Sequence, residues 1–71
     1  MAEFEYRGVS LRLSDEPVKV RVGDAIELHN VVFWLDVTNK NAYCETVWGD
    51  EQKDLDQACD RLLEQRKAVI N

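Results

Sequence analysis

The sequence predicts an α+β fold: an antiparallel β-meander of about five strands with one C-terminal α-helix packed on one sheet face. Three observations carry this. Apolar residues alternate with polar ones in five short runs between Val9 and Trp48, the period of a half-buried strand. Glycine, asparagine, aspartate, serine and proline separate the runs, as turns require. From Leu55 onward the apolar spacing changes to i, i+3, i+4, i+7, the period of a helix face.

Taken in order, the chain begins with a change of phase. Phe4 and Tyr6 share one parity, and Val9, Leu11 and Leu13 the other, with Arg7-Gly8 between them. A bulge or a tight turn at Gly8 keeps both sets on one face, and a long first strand with a bulge is the favoured form. Ser14-Asp15-Glu16-Pro17 is a turn. Val18, Val20 and Val22 then alternate with Lys19 and Arg21. A three-residue loop, Gly23-Asp24-Ala25, pairs Val22 with Ile26 and Val20 with Leu28, and sets Arg21 opposite Glu27. His29-Asn30 forms the next turn, bringing Leu28 against Val31.

Val31 to Trp48 is the central hairpin. A two-residue loop at Asn39-Lys40 pairs Val37 with Ala42, Leu35 with Cys44, Phe33 with Thr46 and Val31 with Trp48. That register gathers Val31, Phe33, Leu35, Val37, Cys44 and Trp48 on one face, which joins Val9, Leu11, Leu13, Val18, Val20, Val22, Ile26 and Leu28 as the expected core. The opposite face carries Val32, Trp34, Asp36, Tyr43, Glu45 and Val47.

Gly49 ends the strands, and Asp50 is the expected N-cap of a helix from about Glu51 to Val69. Its apolar stripe holds Leu55, Ala58, Cys59, Leu62, Leu63, Val69 and Ile70, with Arg66 its polar member. Acidic residues crowd its start and basic ones its end, which suits the helix dipole. At roughly 1.5 Å per residue the helix spans about 27 Å, enough to cross the sheet. A single helix covers one face, so the Trp34 face is expected to stay open. Residues 1–71 form a single domain on this reading, with the meander over 1–48 and the helix over 50–70.

A chain of 71 residues hides only about 60% of its unfolded surface, so the core is small. The net charge of −5 opposes nonspecific nucleic-acid binding, which needs a basic footprint. No apolar run approaches the roughly 20 residues of a membrane span. The N-terminus carries no basic region followed by an apolar one, so a cytoplasmic protein is expected. Cys44 and Cys59 lack CxxC spacing and fall on expected core faces. Two reduced, buried thiols are the simplest state, and a Cys44–Cys59 disulfide is geometrically allowed.

No catalytic constellation is legible. His29 is the one histidine, placed at a turn with no nucleophile in a motif beside it. With two cysteines it falls short of a structural zinc set, and no phosphate loop or dinucleotide fingerprint occurs. No cofactor, metal or small-molecule substrate is therefore expected. The candidate contact surface is the open face, with Trp34 and Tyr43 flanked by Val32 and Val47, and with Arg21 on a neighbouring strand. It fits a partner protein or a second copy of the chain. Stacking of single-stranded bases there is opposed by net charge and by Asp36 and Glu45. A secondary surface is the acidic helix flank of Asp50, Glu51, Asp54 and Asp60, which would suit a basic partner or simply face solvent.

In size, acidity, lack of catalytic residues and meander-plus-helix plan, the chain resembles small proteins of bacteriophages and other mobile elements. The resemblance is compositional and covers no alignable motif. Many such proteins, anti-CRISPR proteins among them, inhibit a host enzyme or defence complex by binding it. What this resemblance implies is a non-catalytic protein-binding protein with a host protein or complex as partner. The alternatives are a homodimer packed through its open face and a nucleic-acid-binding regulator.

Overall fold

A two-residue turn, not a bulge, joins the first two strands. Arg7 and Gly8 both take positive φ, 50° and 81°, the signature of a type I′ hairpin turn. In the computed structural model, which describes residues 2–70, this hairpin pairs β1 (Ala2–Tyr6) with β2 (Val9–Leu13). Met1 and Asn71, the ends of the expected domain, lie outside the described residues. The register sets Phe4 against Leu11 and Tyr6 against Val9, so both apolar sets share one face, as their phases require.

The chain then leaves the sheet. β3 (Val18–Val22) and β4 (Ala25–His29) form a separate two-stranded hairpin. Its loop is the two residues Gly23-Asp24, with Gly23 at φ 61°, the position where a type II′ turn takes glycine. The expected three-residue loop is thus corrected by one residue. Val20 opposes Glu27 and Arg21 opposes Ile26. A slip of one residue exchanges faces, so Ile26 and Leu28 share a side with Lys19 and Arg21 and not with the valines.

β5 (Val31–Asp36) returns to the main sheet beside β2, not beside β4. Leu13 pairs with Val32 and Arg12 with Phe33. Ser14 extends the ladder, its N–H donating to the Val31 carbonyl at 2.9 Å and its Oγ accepting from the Val31 N–H at 3.0 Å. β6 (Asn41–Thr46) completes the order β1-β2-β5-β6. The loop between β5 and β6 is longer than expected, because Asp36 builds it. Its carboxylate accepts from the Asn39 N–H at 3.3 Å and from Asn39 Nδ2 at 2.8 Å, and Lys40 alone takes a positive φ. Leu35 therefore opposes Ala42, and Phe33 opposes Cys44. This is a shift of two residues, which leaves the faces of both strands intact.

The helix α1 (Gln52–Ile70) packs on β5 and β6. Its N-cap is Glu51 rather than Asp50: the Asp54 carboxylate accepts from the Glu51 N–H at 3.1 Å, as the third helical residue does in a capping box. The fold is therefore α+β, with antiparallel strands throughout. No helix of the described residues is long and apolar enough to cross a membrane.

The helix covers the opposite face to the one expected. Leu11, Val32, Val47, Ala58, Cys59 and Leu62 form the buried core, with Trp34, Tyr43, Phe4, Tyr6, Val9, Leu13 and Leu55 packed against it. Both faces of β5 are apolar, and the helix stripe closes on the one carrying Val32, with Ala58, Cys59 and Leu62 in the core and Arg66 over the Trp34 ring. Two flanks fasten the helix. On one, Arg61 Nη2 donates to the Thr46 carbonyl at 2.7 Å and Gln65 Nε2 to the Cys44 carbonyl at 3.1 Å, which occupies the outer edge of β6. On the other, the Tyr6 hydroxyl donates to Asp60 Oδ1 at 2.8 Å, and Arg7 Nε lies 3.5 Å from the same oxygen.

Candidate uncovered sheet face

With the helix on the Trp34 side, the face left open is the one carrying Phe33, Leu35, Ala42 and Cys44. The strand alternation decides this, since residues directly opposite in the register share a side. Leu35 is 40% exposed, and Val37, just beyond the strand, is 82% exposed. Cys44 is an exposed free thiol in the middle of the stripe. Two shallow depressions meet here, one lined by Leu35, Val37 and Ala42, the other by Phe33, Leu35 and Arg12. The β1–β2 half of the same face is polar. Glu3 and Arg12 oppose each other in the register, 3.4 Å apart, and Glu5 and Ser10 form the next pair.

Large apolar residues exposed side by side are the informative departure in a small fold. The β3–β4 hairpin adds to them. Ile26 and Leu28 are 63% and 64% exposed on its outer side. Its inner side meets the body through His29, whose ring contacts Trp48 edge-on with centroids 4.7 Å apart.

The residues anticipated from sequence fall elsewhere. Val32 and Val47 are buried in the core, and Trp34 and Tyr43 stack on each other under the helix. The expectation that their face stays open is overturned. Arg66, the polar member of the helix stripe, lies over the Trp34 ring, its guanidinium 5.6 Å from the centroid, a cation–π contact that accommodates it there. Arg21 stands in the separate hairpin, its Nε donating to the Gly23 carbonyl at 3.2 Å, and does not join the aromatic pair.

The acidic helix flank divides in the same way. Asp54 caps the helix, and Asp60 receives Tyr6 and Arg7. Glu51 pairs with Lys53 at 3.2 Å, and Asp50 is exposed. The Asp60 hydrogen bond holds the Tyr6 hydroxyl protonated above its usual range, and Tyr6 and Asp60 together keep Arg7 charged. Burial, followed by the nearby Asp56 and Asp60 charges, pushes the Cys59 thiol up to about 11, so it is the inert member of the cysteine pair.

No family model, curated protein or solved structure matches this chain. Its geometry therefore carries the functional reading. His29 closes β4 instead of sitting in a turn, with Nε2 2.7 Å from Glu27 Oε1. Among the described residues no group of three or more histidine, cysteine, aspartate or glutamate side chains is placed to hold a metal ion. Phe33, Leu35, Val37 and Cys44 are legible in the sequence as apolar residues, but their alternation predicts an inward face and the structure turns it outward.

Proposed function

We propose that this chain is a small non-catalytic protein-binding protein whose contact surface is the uncovered face of β5 and β6. The observation that supports it is the row of Leu35, Val37 and Cys44 exposed on the face away from the single helix, with Phe33 half-buried beside them. A stripe of this kind beside a polar half-face has the composition of an interface centre and its rim. Occupying a host enzyme or defence complex is one use of such a surface, and self-association is another. Both are protein contacts made through the same residues.

Cys44 reports on occupancy directly. The test compares its alkylation rate in dilute purified protein with the rate in a concentrated lysate of producing cells, read by mass spectrometry. A severalfold slower rate in the lysate, abolished by Leu35→Lys, is the expected result. Equal rates in both settings would remove the stripe as a binding surface.

A further inference from the structure

We infer that the occupant of the uncovered stripe is a second copy of this chain, each copy laying the outer side of its β3–β4 hairpin on the β5–β6 stripe of the other. The inference rests on the stripe being a protein-binding surface and names what binds there.

The hairpin is the first ground for it. A two-stranded ribbon is marginal in water on its own, and this one keeps Ile26 and Leu28 mostly exposed on its outer side. The hairpin thus exposes an apolar surface, as the sheet does. Their dimensions agree. Strands of five residues run about 17 Å and a strand of six about 20 Å at roughly 3.3 Å per residue, and β4 and β5 have these lengths.

Charge supplies the second ground. Lys19 and Arg21 lie on the same side of the hairpin as Leu28 and Ile26. On the open sheet face, Glu3, Glu5 and Arg12 lie to one side of the apolar stripe, with Arg12 beside Phe33 and paired to Glu3, so Glu5 is the carboxylate left over. Lys19, Arg21 and Glu5 have no oppositely charged partner among the described residues. With β4 seated over the partner's β5, β3 falls toward the partner's β1–β2 half, whose net charge of one negative unit comes from Glu5 beside the Glu3–Arg12 pair. Potentials matched in this way set register and orientation. The free edge of β1 is a poorer route to a dimer, because two copies paired there would bring Glu3 and Glu5 toward their own counterparts.

The contact is reciprocal. The two copies of the proposed dimer exchange their hairpins about a two-fold axis, which closes the assembly at two chains instead of continuing head to tail.

The experiment measures mass in solution by sedimentation equilibrium over a concentration series. It uses the native chain, a hairpin variant (Ile26→Glu with Leu28→Glu) and a stripe variant (Leu35→Lys), with circular dichroism as a check that each folds. The native chain is expected to dimerise. Each variant should raise the dimer dissociation constant by roughly thirtyfold or more, as loss of a hot spot does. The equimolar mixture of the two variants should dimerise better than either alone, since one hairpin–stripe contact survives between them. Misfolding cannot produce that rescue. A native chain that stays monomeric throughout would overturn the inference, as would a dimer indifferent to the hairpin variant. Slow Cys44 alkylation in lysate beside a monomeric native chain would leave the stripe a binding surface for another protein and reject the second copy.

Discussion

Trp34 stacks on Tyr43 with ring centroids 5.4 Å apart and planes inclined by 25°, and the pair lies beneath the helix, packed against its core. Leu35, the next residue, points the other way and is 40% exposed. One peptide unit therefore separates the core from the proposed contact surface.

That contrast predicts an asymmetric stability response. Trp34→Ala removes a large ring from the core and should lower the unfolding free energy by about 3 kcal/mol. Leu35→Ala should cost less than about 1 kcal/mol. Urea denaturation of both variants at a concentration where the chain is monomeric measures the difference. A larger loss for Leu35→Ala would mean that the helix covers the other face.

Much of the fold was legible in the sequence because alternation and turn residues are local. The strand periods, the helix from the i, i+3, i+4 spacing, and the shared face of Phe4, Tyr6, Val9, Leu11 and Leu13 all follow from nearest-neighbour geometry. What failed was non-local. Both faces of β5 are apolar, Val32 and Trp34 on one and Phe33 and Leu35 on the other, so a period of two cannot say which one meets the helix. The pairing of Leu13 with Val32 skips a whole hairpin, and no turn rule reaches across that distance. The Gly23 loop was misjudged by one residue, and in a strand one residue decides the face. The candidate surface was thus read as one face left open by one helix, but on the wrong side of the sheet.

The two cysteines should separate cleanly by reactivity. Cys44 is exposed, and Cys59 is fully buried with its thiol pushed up to about 11. A thiol reagent applied at mildly alkaline pH to dilute native protein should modify Cys44 alone, and both after denaturation. Modification of Cys59 at a comparable rate in the native state would contradict its place in the core.

Gly49 should be the least replaceable glycine. Its φ is 132°, and a Cβ there would run into the Asp54 carboxylate that caps the helix. Gly49→Ala should cost about 1–3 kcal/mol. Gly8→Ala meets nothing within 4 Å and carries only the strain of φ 81°, about 1 kcal/mol. Asp54→Ala removes the cap for about 1 kcal/mol and also the obstruction. The Gly49→Ala and Asp54→Ala double variant should therefore lose less than the sum of the two. Additive losses in chemical denaturation would show that the carboxylate is not what Gly49 avoids.

The clamp between the first turn and the helix should give the stability an alkaline limit. Tyr6 donates its hydroxyl proton to Asp60, and that hydrogen bond raises its pKa above the ordinary 10.0. The folded state therefore favours neutral tyrosine more than the unfolded state does. The resulting stabilisation is fully present below about pH 10 and is lost as pH rises through the folded value. Tyr6→Phe lacks the hydroxyl and serves as the reference, because every other ionisable group, Cys59 included, is common to both chains. Urea midpoints from neutral pH to about pH 11.5 should show a native advantage that is constant at first and narrows above about pH 10. An advantage that persists unchanged into that range would mean that the Tyr6 hydroxyl contributes nothing through its proton, leaving Arg7 and Asp60 to hold the turn against the helix.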